Sequence, residues 1–361
     1  MRVADLVPFY ELVGTIQPPK ALHAGDRLNL VTDVAPPIHL STIFRYSNDP
    51  NDLGPSEDPV AEFNGKNFVY SHEFAPNATR FEAVCSTLFK GNAVSYATVS
   101  VGEGYHVTHE VISVISRFSG LEKLPLDCPA ESLNAGDVIL LETPGNPLGI
   151  AFNIVEGPLV LDIVMHSGSK YFGDHSDLLC GVLATKRDGW TKQLFEDRVA
   201  LSNVLGNLEG WLGTRSLRTM GVRIQRASED SAKLISWLHN GLNAPSPAAG
   251  SEEAIIQAVL QKIYHASLQN EDWLKKQMPN DFGPVFAIIF TTENFARALP
   301  SKLHYFQHAT SLGGVKSLIE WRALSDSKVD RKLVRISVGL ENWEDLKDDL
   351  LRAFASLAGT Q

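Results

Sequence analysis

One lysine stands where a nucleophilic amine is useful. Lys170 lies in the segment VMHSGSKYFGDHSD, between small hydroxylated residues and just beyond an apolar run typical of a buried strand. Ligands of α/β sheets sit outside the carboxyl ends of strands. A lysine is nucleophilic only as the free amine, and partial desolvation or a neighbouring cation lowers the pKa of such a group. The segment therefore indicates covalent or acid–base chemistry at Lys170, although a lysine beside serine and glycine is also typical of a solvated loop.

An arginine in an apolar strand marks a second place where chemistry is expected. Arg335 lies in the run LVRISVG, and a lone charge buried in such a strand is costly. A substrate carboxylate held by the guanidinium fork would satisfy it. A structural ion pair would satisfy it as well, so the spacing alone leaves both interpretations open.

Other kinds of site are weakly signalled. Gly168-Ser169-Lys170 is not a Walker A loop, because the leading glycine and the hydroxyl residue after the lysine are missing. Gly102 and Gly104 lack the third glycine and the following helix of a dinucleotide-binding loop. The histidines have no carboxylate or cysteine partners at metal-ligand spacing, and the three cysteines form no C-x-x-C pair. We therefore predict no metal site and reduced, packing cysteines.

The elements that must position these residues change along the chain. Residues 1–62 are turn-rich and indicate an arm, and the first helix is predicted over Asn77–Lys90 from its apolar spacing. Further strands are predicted at Val138–Leu141, Leu159–Met165, Gly181–Ala184, Pro284–Phe290 and Leu333–Val338, and further helices at Leu217–Leu238 and Asn342–Leu357. The middle of the chain is therefore predicted to be α/β and the second half a smaller α+β domain.

Composition limits the partners. The chain has 361 residues, enough for roughly two domains, and its 32 basic against 42 acidic residues give a net charge of −10. This charge disfavours nucleic acid as a partner. No apolar run approaches the roughly 18 residues of a membrane span, and the first residues lack the pattern of a signal peptide. We expect a cytoplasmic protein that does not bind membranes.

Four blocks in a fixed order carry a resemblance to a known family. They are ETPGNP at 142–147, HSGSKYFGDHSD at 166–177, SLGGVKSLIE at 311–320 and RISVGLE at 335–341. Together they resemble the pyridoxal-phosphate enzymes of cysteine and methionine metabolism, the transsulfuration family that includes cystathionine γ-synthase and the cystathionine lyases. The similarity runs from about Ala35 to Leu351, and loops such as APNATRFEAV look most like fungal cystathionine γ-synthase-like members.

The resemblance implies roles for residues around the cofactor, pyridoxal 5′-phosphate. Lys170 matches the lysine that forms a Schiff base with it and acts as general acid and base, and Ser167 and Ser169 match the hydroxyls that hold its phosphate. Tyr105 matches the catalytic tyrosine stacked on the pyridine ring. Tyr70 matches the tyrosine that reaches the neighbouring subunit's phosphate, which implies a homodimer or homotetramer.

Further roles concern the substrate side. Glu142 and Asn146 match residues of the cofactor site, Asn146 being the one near the ring hydroxyl. Ser311 and Arg335 match the pair around the substrate carboxylate. The substrates implied are small amino acids.

Two stretches of the family pattern are absent. After Thr98 the family continues into a Ser-Gly-Met-type turn whose backbone amides bind the cofactor phosphate, and this chain runs directly into Val99. Between Ile154 and Asp162 the family has a helix and then a strand with the aspartate that pairs with the pyridine nitrogen, and here only seven residues intervene. Either the natural protein has these segments and the sequence omits them, or the protein itself lacks them and binds the cofactor poorly.

The resemblance also implies a fold and a division of the chain. The fold is α/β, the PLP-dependent transferase fold type I of aspartate aminotransferase, with a smaller C-terminal α+β domain. We expect residues 1–62 to form an N-terminal arm that reaches the neighbouring subunit, residues 63–205 the PLP-binding α/β domain and residues 206–361 the C-terminal α+β domain.

The activity implied first is a γ-substitution on an O-acyl-L-homoserine, with cysteine or a related nucleophile. Two alternatives stay open. One is a cystathionine β- or γ-lyase, because these activities share almost every site residue. The other is a catalytically degenerate homologue that serves as an oligomeric partner.

Overall fold

The computed structural model describes part of the chain, in two compact units. The described residues are 22, 34–41, 68, 71, 74–89, 92–96, 106–119, 123–124, 131, 138, 140–154, 162–187, 189–326 and 328–359. Those within 1–99 and 158–222 form the first unit, and those within 100–157 and 223–361 form the second. The domain limits expected from the resemblance stay a prediction.

The elements are numbered in chain order. The helices are α1 (Pro76–Phe89), α2 (His106–Ser119), α3 (Trp190–Ala200), α4 (Asn207–Leu217), α5 (Met220–Leu242), α6 (Glu252–Val259), α7 (Asp272–Gln277), α8 (Glu293–Ala298) and α9 (Trp343–Ala358). The strands are β1 (Asn92–Tyr96), β2 (Ile163–Ser167), β3 (Gly181–Thr185), β4 (Leu260–Tyr264), β5 (Val285–Phe290), β6 (Gln307–His308), β7 (Leu318–Trp321) and β8 (Leu333–Ser337). Among the described residues, no helix is both long and apolar enough to cross a membrane.

The first unit contains a three-stranded sheet in the order β1-β3-β2. β3 pairs antiparallel with both neighbours, and its first residue, Gly181, lies opposite Ser167 at the end of β2. The predicted strand at Val138–Leu141 is wrong, because none of its described residues is in a strand. A strand needs a neighbour for its backbone hydrogen bonds, and a parallel neighbour needs a crossover of about a dozen residues or more.

Helix α1 packs closely on α4 within the first unit. Phe81, Val84 and Cys85 are buried along one face of α1, which confirms the face predicted from their spacing. A Cβ atom on Gly213 of α4 would lie 2.5 Å from the Phe81 ring, so the two helices approach at a distance that only glycine allows. A short part of the predicted arm lies here too, because the Pro36 carbonyl accepts a hydrogen bond from Trp211 Nε1 at 2.9 Å. The predicted contact of the arm with another subunit stays a prediction.

The second unit contains a five-stranded sheet in the order β4-β5-β8-β7-β6, antiparallel except for the pair β6/β7. One face carries the main hydrophobic core, with Phe286, Ile288, Val334 and Ile336 packed among residues of α5, α6 and α9. This arrangement confirms the predicted α+β architecture. Predicted strands at Pro284–Phe290 and Leu333–Val338 agree with β5 and β8 to within a residue at each end, as their uninterrupted apolar runs indicate.

The opposite face of this sheet carries charge. Arg335 of β8 lies opposite Ala287 of β5 and opposite Glu320 of β7, so the three side chains share one face. Leu148 packs against Ala287 and Ile289 there. The segment that contains Leu148 therefore covers the charged face within the second unit.

Candidate active site

The turn after β2 holds Lys170 by bonds on both sides. The Gly168 amide donates to the Cys180 carbonyl at 2.8 Å, and Ser169 Oγ accepts from the Cys180 amide at 3.1 Å. On the other side, the Asp174 amide donates to the Lys170 carbonyl at 2.7 Å. Residues Gly168–Phe172 form one wide helical turn. Within it, the backbone of Lys170 departs from helical angles, with φ −94° and ψ −123°. The lysine is thus placed at the carboxyl end of a strand by contacts of the backbone around it.

His166, just before this turn, packs against it. The His166 ring stacks on Phe172 with 5.5 Å between ring centroids. Burial lowers the pKa of His166 from 6.5 to about 4. The imidazole is therefore neutral at pH 7. His175 Nδ1 lies 2.9 Å from the Gly173 carbonyl and 3.3 Å from Ser216 Oγ, which ties the end of the turn to α4.

Glycine is required at the start of the turn. A Cβ atom on Gly168 would lie 2.1 Å from Cys180 Sγ, a distance at which an atom must move. We expect Gly168→Ala to lower the free energy of unfolding by about 1–3 kcal/mol, the usual cost of overpacking. Chemical denaturation of the purified protein measures it.

A second substitution tests the cause. Gly168→Ala combined with Cys180→Ala removes the clashing sulfur, so the double variant should lose less stability than the two single losses combined. Strictly additive losses would show that the thiol is not what excludes a side chain at position 168.

Arg335 and the residues predicted around it come together in the second unit. Its Nη1 donates to Asn146 Oδ1 at 2.8 Å, and its Nη2 donates to the Ser311 carbonyl at 2.5 Å. Nη2 also pairs with Glu320 Oε2 at 2.5 Å. Ser311 takes part through its backbone, which adopts the left-handed conformation at φ 76°. The structural ion pair considered for Arg335 is therefore present, with Glu320 as the partner.

Glu142 fixes Asn146 within its own loop. Glu142 Oε1 accepts the Asn146 amide at 2.8 Å. The carboxylate thus caps the turn that presents Asn146 to Arg335. Contact of Glu142 or Asn146 with a cofactor stays a prediction.

Two glutamines hold the segment that follows Asn146. The Gln269 side-chain amide accepts from the Ala151 amide at 2.7 Å and donates to the Ala151 carbonyl at 3.1 Å. Gln277 accepts from the Ile154 amide at 3.0 Å and donates to the Phe152 carbonyl at 2.9 Å. Each glutamine therefore bonds this backbone as a neighbouring strand would.

Gln277→Ala should loosen this segment. The buried Ile154 amide would lose its acceptor, so we expect the free energy of unfolding to fall by about 1–3 kcal/mol. Hydrogen exchange at Ile154 should become faster. Gln257→Ala is the matched control, because Gln257 bonds the carbonyls of Gly241 and Ala244 instead. If both variants changed exchange at Ile154 equally, the proposed role of Gln277 in holding this segment would be refuted.

The predicted site residues thus fall into two groups. Ser167, Ser169 and Lys170 lie together in the first unit, and Glu142, Asn146, Ser311 and Arg335 lie together in the second. Tyr70 and Tyr105 lie outside the described residues. Among the residues that are described, no cluster of three or more His, Cys, Asp or Glu side chains could hold a metal.

Two residues that adjoin the second group were not predicted from the sequence. Glu320 and Arg322 are each 2% exposed, and Arg322 Nη1 donates to Glu320 Oε2 at 2.9 Å. The available signal was the alternation in SLIEWR, where two charged residues stand two positions apart at the end of a buried strand.

Similar proteins share both the sequence pattern and the fold. Cystathionine γ-lyase of Saccharomyces cerevisiae is 28% identical over 395 aligned positions, which cover 92% of this chain and 96% of that enzyme. Cystathionine β-lyase of Lactococcus lactis subsp. cremoris is 26% identical, with 92% of this chain and 97% of the enzyme covered. The aligned length exceeds the 361 residues of this chain, so the yeast enzyme has residues that this chain lacks.

A solved structure supports the predicted fold class. Cystathionine γ-synthase of Xanthomonas oryzae pv. oryzae, in complex with cystathionine, superposes with a TM-score of 0.76 at 22% identity, covering 95% of this chain and 99% of that one. The fold type I class predicted from the resemblance is thereby confirmed. A sequence model described as "Cys/Met metabolism PLP-dependent enzyme" matches residues 155–355, more than half of the chain. The chain therefore belongs to the family of pyridoxal-phosphate-dependent enzymes of cysteine and methionine metabolism.

Proposed function

We propose that the protein catalyses γ-substitution on an O-acyl-L-homoserine, with cysteine or a related thiol as the nucleophile. In this reaction the γ C–O bond breaks and a γ C–S bond forms. The acyl group leaves as a carboxylate, and the thiol gives up its proton. The observation that carries the proposal is the position of Lys170, held at the carboxyl end of β2 by backbone bonds on both sides.

The donors around Lys170 fit pyridoxal phosphate. A primary amine suits the aldehyde, and the hydroxyls of Ser167 and Ser169 suit phosphate oxygens, since a hydroxyl that accepts one bond still has a proton to donate. The bound cofactor supplies an electron sink for charge that develops on the carbon atoms of an amino acid. Asp162 is assigned no role at the pyridine nitrogen, because it pairs with Arg187 at 2.7 Å just before β2, at the end opposite the Lys170 turn.

The remaining steps belong to side chains of this protein. Lys170 as the free amine takes protons from Cα and then from Cβ of the substrate before the acyl group leaves, and it returns them to the same carbons once the thiol has added. These transfers require it to alternate between neutral and charged forms. Arg335, steadied by Asn146, orients the substrate carboxylate. The Asn146 turn is in turn positioned by Glu142, Gln269 and Gln277.

A cystathionine lyase is the second candidate. It is favoured by the relatives that match most of the chain, which include the lyases of yeast and Lactococcus. The synthase forms a γ C–S bond, whereas a lyase breaks the β or the γ C–S bond of cystathionine. Both activities would use the same amine and carboxylate sites.

Product analysis separates the candidates. We expect cystathionine when the protein is incubated with pyridoxal phosphate, O-acetyl- or O-succinyl-L-homoserine and cysteine. Release of cysteine or homocysteine from cystathionine alone, without synthesis, would instead support the lyase. Absence of any cofactor absorbance band at saturating pyridoxal phosphate would refute both and would favour the degenerate homologue, whose assembly into a homodimer or homotetramer sedimentation would measure.

A further inference from the structure

Arg322 is a buried arginine with one whole edge unused. It begins the short 3-10 turn Arg322–Leu324 that follows β7, and it is 2% exposed. Nη1 donates to Glu320 Oε2 at 2.9 Å. Nε and Nη2 are buried and meet no hydrogen-bond partner among the residues that the structure describes. Leaving such donors unpaired in the interior is costly, so their placement calls for an acceptor.

The two unpartnered nitrogens form the edge of the guanidinium group that typically binds oxyanions. Nε and Nη2 carry N–H bonds that point the same way from the planar guanidinium. Two parallel donors in this geometry match the two oxygens of a carboxylate or of a phosphate. Glu320 occupies the other side of the group through Nη1, so the Nε–Nη2 edge has no anion beside it among the residues that the structure describes.

Among the described residues, two arginines pair with the single carboxylate of Glu320. Oε2 of Glu320 accepts from both Arg322 and Arg335, and Oε1 accepts from Ser325 Oγ at 2.6 Å. One carboxylate thus serves two guanidinium groups. Because Arg322 and Arg335 bind the same oxygen atom, their guanidinium groups are neighbours. A ligand with two anionic groups a few atoms apart can therefore meet both.

We infer that Arg322 binds a distal carboxylate of the substrate, next to the α-carboxylate assigned to Arg335. This inference rests on the proposed function and narrows it. The preferred substrates are amino acids whose γ-substituent ends in a carboxylate, such as a dicarboxylic acyl ester, over those with a neutral acyl group. Phosphate shares the same binding chemistry and is distinguished by the test.

The first experiment needs no turnover. Thermal unfolding of the full chain is followed with glutarate, butyrate or inorganic phosphate at equal ionic strength. Glutarate should raise the unfolding temperature more than butyrate does, and Arg322→Lys should remove that difference. Arg297→Lys is the matched control, because Arg297 is exposed and donates to an exposed asparagine, Asn294, at 3.2 Å.

The second experiment compares substrates in the cofactor-loaded protein. The ratio of kcat/KM for O-succinyl- over O-acetyl-L-homoserine should fall about 10- to 100-fold in Arg322→Lys, the range for a lost pair of charged hydrogen bonds. The ratio should be unchanged in Arg297→Lys. Lysine keeps the charge beside Glu320, so the variant tests the guanidinium edge and not the ion pair.

The outcomes distinguish this inference from the proposed function. Turnover of both esters with an unchanged ratio, or no preference of the wild type for glutarate over butyrate, overturns the inference and leaves the reaction standing. A glutarate effect that depends on Arg322 without turnover supports the inference while the reaction fails. Phosphate that stabilises the wild type more than glutarate, through Arg322, overturns the assignment to a carboxylate. If Arg322→Lys does not fold, the wild-type comparison still tests the inference, because equal effects of glutarate and butyrate would overturn it.

Discussion

Replacing Lys170 with alanine will lower turnover by about 10²- to 10⁴-fold or more, the contribution of a positioned general acid and base. The loss has a chemical cause, because the variant has no amine to condense with the cofactor or to move the Cα proton. The fold should survive. The bonds that hold the turn to Cys180, and the bond from Asp174, involve backbone groups and Ser169, which the substitution leaves in place.

The measurement is the steady-state rate with O-acyl homoserine and cysteine, together with the mass of the borohydride-reduced protein loaded with cofactor. Lys192→Ala is the matched control, since Lys192 is an exposed lysine of α3 in the same unit. Lys170→Arg separates charge from nucleophilicity, because a guanidinium stays protonated near pH 7. A Lys170→Ala protein with more than a few hundredths of the wild-type rate, or an adduct on another lysine, would refute the assigned role.

Glu320→Gln should give the largest loss of stability. The glutamine has nearly the same shape, but Arg322 and Arg335 would face each other across a neutral amide in the interior. Removing one partner of a buried ion pair typically costs about 3–5 kcal/mol of unfolding free energy, because the remaining charge is left uncompensated. Urea denaturation, followed by circular dichroism, measures the loss.

A second acidic position sets the baseline. Glu229→Gln alters an exposed carboxylate of α5 that accepts a bond from Gln225, and surface changes of this kind usually stay within about 0.5 kcal/mol. A similarly small effect of Glu320→Gln would mean that the two arginines do not depend on this carboxylate. Such a result would also argue against uncompensated positive charge in this cluster, the premise of the second carboxylate site.

Local patterns were sufficient to predict many elements of the fold. Helix α1 and strands β5 and β8 lie within one or two residues of their predicted limits, because each is specified by its own apolar spacing. The predicted helix at Leu217–Leu238 is less accurate. The structure ends α4 at Leu217 and begins α5 at Met220, so a continuous apolar pattern concealed a break.

The strand predicted at Val138–Leu141 shows the limit of such patterns. Its apolar composition is suitable, but a strand exists only where a neighbour receives its hydrogen bonds. In the segment that follows, Ala151, Phe152 and Ile154 bond the side chains of Gln269 and Gln277, more than 100 positions away in the chain. No local window contains that information.

The candidate site divides in the same way. The types and order of residues predict Lys170 as the reactive amine and place a cation, Arg335, in a buried strand, because reactivity and burial cost belong to the residue and its near neighbours. Which groups surround that cation is a matter of packing. Asn146 and Glu320 reach Arg335 across 189 and 15 positions of sequence, and Glu320 also receives Arg322, so the unused guanidinium edge emerges only when β7, β8 and the Asn146 turn are assembled. Charge compensation in the interior depends on distance in space, and that quantity is set by the tertiary structure alone.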